Sequence, residues 1–127
     1  MKFEELKELI DEHIDLILLD AKALKEAQDR ATRFLVVVSV LSNYRLDLEK
    51  KKTKLITLRE AHFSQALGRS EAKNVTEKKM EAESDPKYTG QREAVEEIDS
   101  EISWVKCHIE IFNNAHITYR QLSKEGA

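Results

Sequence analysis

Six cations, Arg45, Lys50, Lys51, Lys52, Lys54 and Arg59, fall within fifteen residues, with Tyr44, His62 and Phe63 close by on the same stretch. Lysine and arginine neutralise phosphates and release their counterions, while aromatic rings stack on unpaired bases. Interleaved, they describe a sequence-tolerant site for a single nucleic-acid strand. Arg69, Lys73, Lys78 and Lys79 follow soon after. The competing reading is a solvated helix face whose cations pair with the acids of the last helix, and one short stem taken alone favours it. Identical stems gathered in an oligomer shift the balance, because they raise the effective concentration of cations along a strand.

No other constellation points to chemistry. His13, His62, His108 and His116 form neither the i, i+4 pair of a metalloprotease nor the Glu-x-x-His pairs of a di-iron bundle. Cys107 and His108 are neighbours in sequence, and neighbours on a helix point about 100° apart, so they are not a preformed nucleophile and base. A Gly-rich phosphate loop and a nucleophile elbow are both missing. The acids are scattered along helical faces rather than convergent. The expectation is a non-enzymatic protein that needs no metal and no cofactor.

Composition bounds the rest. The 127 residues make one domain's worth of chain, and 35% charged content with three glycines and one proline suits long helices. The formal net charge of -3 hides an uneven distribution. Residues 1–20 carry seven acids against two lysines, residues 44–59 six bases against two acids, and residues 93–110 six acids against one lysine. Acidic ends flank a basic middle. Cys107 is the sole cysteine, so no intrachain disulfide forms and a reducing cytosol is the natural setting. The N-terminus is acidic where a secretory signal is basic. The apolar band Phe34 to Leu41, eight residues, falls short of the about 20 needed to span a bilayer.

That band flows without a breaker into the basic stem, and the elements are read around it. Phe3, Leu6, Leu9 and Ile10 describe an amphipathic N-terminal helix within residues 1–19. A long helix is expected over 20–67, with Leu41, Leu48, Leu55 and His62 repeating at seven and Val37, Tyr44, Lys51 and Leu58 between them. Such a helix reaches roughly 70 Å, more than a small chain buries against itself in a globule, so a hairpin or an oligomer follows. Lys51 is a flaw in that seam. Residues 68–74 are the loop, with Gly68 as a C-cap candidate. Asn74 and Glu77 match a capping box for a short helix over 75–84. Asp85 before Pro86 then starts the last helix, 85–122, with a frayed tail beyond.

The last helix carries an unbroken three-four alternation: Val95, Ile98, Ile102, Val105, Ile109, Phe112, His116 and Tyr119. Trp104 and Ile111 lie off this seam and imply a third partner. The architecture expected is all-α: one domain over 1–127, a long helical hairpin with coiled-coil-like packing and a short N-terminal helix. An oligomer interface is expected along Phe34, Val37, Val38 and Leu41 and along Ile102, Val105, Ile109 and Phe112.

The layout of N-terminal helix, long helix ending in a basic and aromatic motif, loop and long C-terminal helix resembles the recombination mediator family of T-even and related phages. The family motif reads approximately Lys-Ala-Arg-Leu-Asp-Tyr-Tyr-Ser-Gly, and Thr57, Leu58, Arg59, Glu60, Ala61, His62, Phe63 and Ser64 stand in its first eight places. Arg59, the aromatic Phe63 and Ser64 agree; Thr57 and His62 replace a lysine and a tyrosine, Lys54 lies one turn earlier, and Gly68 arrives late. The segment from Val75 to Tyr88, with Arg92, Glu93 and Ala94, also resembles a pattern in small phage proteins of unassigned activity. The resemblance implies a homo-oligomer that binds single-stranded DNA, loosens the single-strand-binding protein and helps load a RecA-like recombinase. Arg59, Lys54 and Lys50 to Lys52 would grip phosphates, with His62 and Phe63 stacking on bases or shaping the stem. The rival class is a helical protein-interaction module, such as a phage inhibitor of a host factor or an assembly adaptor, which the broad apolar faces and acidic ends suggest.

Overall fold

The structure, a computed structural model, describes residues 1–18 and 24–125. Helix α1 spans Phe3–Ile14 and passes into a 3-10 turn at Asp15–Ile17; α2 spans Leu24–Arg69, α3 Val75–Glu83 and α4 Pro86–Glu125. The chain is all-α, with no strand among the described residues, and α2 and α4 pack against each other as a helical hairpin. None of the described helices is long and apolar enough to cross a membrane.

Local chemistry accounts for the helix starts. Asn74 Oδ1 accepts the Glu77 N–H at 2.8 Å, capping α3. Asp85 Oδ1 accepts the Lys87 N–H at 2.9 Å, and Pro86 stands at the first helical position, where its missing N–H costs nothing. Other boundaries differ from the expectation. The N-terminal helix tightens after Ile14, where Ile14, Leu16, Ile17 and Leu18 no longer keep one stripe. The expected start of the long helix at Asp20 lies outside the described residues. Gly68 does not stop α2, which runs on to Arg69, and no described glycine has a positive φ. A glycine in a helix costs only about 1 kcal/mol relative to alanine, and one in the last turn is readily carried. α4 continues to Glu125 rather than ending at Leu122.

The buried positions of the hairpin do not keep one heptad register along each helix. Seven residues turn a 3.6-residue helix through about 700°, so a strict heptad drifts by about 20° each time. Along α2 that drift is visible in burial: Val37 is buried, Tyr44 half-buried, and Lys51 and Leu58 exposed. The inward positions pass instead to Leu48, Lys52, Ile56, Arg59 and Phe63, which are buried or half-buried. Lys51 therefore interrupts nothing; the register has moved past it. α4 drifts likewise, with Val95 and Ile102 buried but Ile109 and His116 half-buried, while Val105, Phe112 and Tyr119 take over the core.

The described chain divides into two compact units, residues 1–46 with 104–127, and residues 47–103. The first is a three-helix core. Leu6 and Ile10 of α1 are buried with Phe34, Val37 and Leu41 of α2 and Val105, Phe112 and Tyr119 of α4. The Phe34 ring lies 5.9 Å from that of Phe112 and 5.4 Å from that of Tyr119. α1 is the third partner Trp104 requires: Phe3 meets it edge-on at 5.2 Å and lies 6.3 Å from Tyr44. The buried Arg30 donates to the Tyr119 hydroxyl at 3.1 Å and pairs with Glu26 at 2.6 Å, and Tyr119 in turn donates to the Leu16 and Ile17 carbonyls. Ile111 stays exposed.

The second unit is thinner, because two helices and the short α3 enclose less than three full helices do. Its buried apolar side chains are Leu48, Ala82, Val95 and Ile102, with Leu55, Ile56, Phe63 and Ile98 half-buried around them.

Candidate nucleic-acid interface

The cations that lie together in the sequence are separated by the helix period. At about 100° per residue, Lys50 and Lys54 point away from the face that Lys52 and Arg59 share. Arg45 belongs to the first unit, where it is half-buried. Tyr44 is also in the first unit, and the other five cations, His62 and Phe63 belong to the second. Lys50, Lys51 and Lys54 are exposed and make no ion pair among the described residues. Lys52 is half-buried and its Nζ lies 2.6 Å from Asp99 Oδ1 on α4. Arg59 is half-buried on the same inward face.

The aromatic half of the stem is turned inward. Phe63 packs on Tyr88 of α4, ring centres 5.2 Å apart and planes tilted by 45°. His62 is half-buried, and its Nδ1 is shielded from solvent without a hydrogen-bond partner among the described residues, as is Gln91 Oε1 on α4. What remains open to a polyanion is a short cationic edge of three lysines. These can hold phosphates through charge, while base stacking through Phe63 would require the ring to leave Tyr88.

The eight residues expected to join copies are placed mostly inside their own chain. Phe34, Val37, Leu41, Ile102, Val105 and Phe112 are buried by it, which removes them from any surface open to a second copy; Val38 and Ile109 are half-buried. The apolar surface that seemed too large for one hairpin is covered in the first unit by α1, through Leu6, Ile10 and Phe3.

The pairing of Lys52 with Asp99 is an instance of the competing reading, stem cations paired with acids of the last helix, although sequence did not single out these two. Tyr88 as a partner of the stem and Arg30 with Tyr119 as a buried polar pair were missed. Nothing in the local sequence around Lys52 signals Asp99, forty-seven residues away; only the hairpin register joins them. Arg30 is buried beside Ala27 and Ala31, where a guanidinium must take a polar partner, but that burial is a property of the structure and not of the local sequence. An open recess of about 270 Å³ is lined by Leu16, Glu26, Asp29, Arg30 and Arg33, two acids and two arginines whose charges offset. Among the described residues no group of three His, Cys, Asp or Glu side chains is arranged to hold a metal ion. Comparison with family models, with curated proteins and with solved structures finds no match.

Proposed function

We propose that the chain is a non-enzymatic recombination mediator that binds single-stranded DNA and helps a RecA-like recombinase displace the single-strand-binding protein. The observation that carries this reading is the edge formed by Lys50, Lys51 and Lys54, which is exposed and makes no ion pair among the described residues, while Lys52 is paired with Asp99 of α4. Ion pairing along the whole stem would have favoured a solvated face; three lysines that make no ion pair among the described residues favour a polyanion. The contact is to phosphate rather than to bases, since Phe63 is engaged with Tyr88. It is therefore insensitive to sequence, as a loader of recombinase requires. Several copies along one strand multiply a weak site. The phage origin, the host cytoplasm as setting and the recombinase partner come from the family resemblance.

The test is fluorescence anisotropy of a labelled poly-dT strand titrated with protein at several salt concentrations, with duplex DNA as the control. If each chain neutralises its three lysines' worth of phosphate, log affinity falls with log salt at a slope of about −2 per bound chain. Absence of binding at low salt would sink the reading. A second reading, a helical protein-interaction module, is favoured by one observation: Leu35 and Val36 are 46% and 55% exposed on an uncharged stretch of α2. Capture of one stoichiometric host protein, resistant to nuclease, would support it.

A further inference from the structure

We propose, on the premise of the single-strand reading above, that the bound strand runs lengthwise along the outward face of α2, from the lysine edge to Arg69, which grips a phosphate at the far end. Eighteen residues at about 100° each make five full turns of a helix, so Arg69 points the same way as Lys51, about 27 Å further along the axis. Both lie in the second unit. Lys54, Leu58, Ala61 and Gln65 fall between them on that side, within about 80° of the same line. All six are exposed, Leu58 by 48%.

The charges along α2 leave that lane open to an anion. Between Glu49 and Glu71 the one acid is Glu60, and nine residues after Lys51 it stands half a turn round, away from the line. Asp47, one turn before Lys51, and Glu71, two residues past Arg69, bound the lane at its ends. Near the second end Glu81 accepts a hydrogen bond from the Ser70 hydroxyl, and Arg69 makes no ion pair among the described residues. A guanidinium whose planar fork is not taken by a carboxylate suits a phosphate, which it can hold through two parallel hydrogen bonds.

The spacing of the two ends selects the ligand. A compact anion such as a mononucleotide reaches one end only. A duplex backbone winds once round its axis in about 34 Å, so over about 27 Å it turns away from a straight face. A single strand bends and follows it. At about 3.4 Å per phosphate of a stacked strand the lane holds about eight nucleotides, and fewer when the strand is stretched. Leu58, Ala61 and Gln65 repel no phosphate, and the Gln65 amide can donate to one.

Anisotropy of labelled poly-dT over a salt series tests the path. Four phosphate contacts per chain give a slope of about −2.8 for log affinity against log salt, where the three lysines alone give about −2. Arg69→Ala should return the slope to about −2, and Arg69→Lys should keep it at about −2.8. Gln65→Glu, in the lane, should weaken binding roughly fivefold at low salt. Ser64→Glu adds the same charge one residue away but points about 140° off the line, and should cost less than about twofold. Both positions are exposed. Binding whose slope is about −2 and is unchanged by Arg69→Ala overturns the lengthwise path while leaving the lysine edge as the DNA site. Equal losses at Gln65→Glu and Ser64→Glu overturn it as well, since the charge then acts without direction. No binding by the unaltered chain overturns the path together with the single-strand reading.

Discussion

Lys52 Nζ lies 2.6 Å from Asp99 Oδ1, so one cation of the basic stem is tied to the last helix while its neighbours Lys51 and Lys54 face solvent. The pair is 34% and 48% exposed, and at that exposure an ion pair contributes only about 0–1 kcal/mol to stability. Its importance is in dividing the stem.

That division predicts unequal effects on DNA. Lys54→Glu and Lys50→Glu should each weaken poly-dT binding by roughly tenfold at low salt, and Lys54→Ala should reduce the salt slope by about 0.7. Lys52→Ala should change affinity by less than about twofold. Anisotropy across a salt series reads all of them, and an equal loss at Lys52 would refute the split.

Trp104 is the only tryptophan, and Phe3 is a ring that covers it. Phe3→Ala should shift the tryptophan emission to the red and lower stability by about 1–3 kcal/mol, less than a fully buried phenylalanine would cost. Unchanged emission would mean that α1 does not seat on this side of the hairpin.

Tyr119→Phe removes a hydroxyl that accepts from Arg30 and donates to the Leu16 and Ile17 carbonyls, in a place where Tyr119 is 5% and Arg30 7% exposed. Urea denaturation should register a loss of about 1–3 kcal/mol, because buried polar groups are left short of partners. Leu35→Ala, at an exposed position of α2, should stay within about 0.5 kcal/mol.

Hydrogen exchange should separate the two units. Phe34, Val37 and Leu41 are fully buried in the first, whereas residues 53–67 of the same helix are at best half-buried in the second. Amides of 53–67 should exchange well before those of 34–41. Uniform protection along α2 would show that the thin unit is as stable as the thick one.

Much of the helical plan was legible. Asn74 with Glu77, and Asp85 with Pro86, announce helix starts through side chains that satisfy nearby N–H groups, a matter of three or four residues. The stem was legible as a cluster and misleading as a surface. Its six cations are close in sequence, but the helix turns Lys52 and Arg59 inward with Phe63 and leaves Lys50, Lys51 and Lys54 outside. A heptad reading placed Lys51 in the seam because it assumed a period of 3.5, and the α-helix keeps 3.6.

What the sequence by itself determined is what short-range chemistry controls: helix where breakers are absent, a turn between Arg69 and Asn74, and the caps. The tertiary structure alone decided which helix covers which face. Phe3 on Trp104, Lys52 on Asp99 and Phe63 on Tyr88 join residues far apart in the chain. Apolar attraction is non-directional, so a stripe records that it must be covered without recording by what. The band from Phe34 to Leu41 could have been covered by a second copy or by the chain itself; α1 and α4 bury Phe34, Val37 and Leu41 and leave Leu35 and Val36 outside.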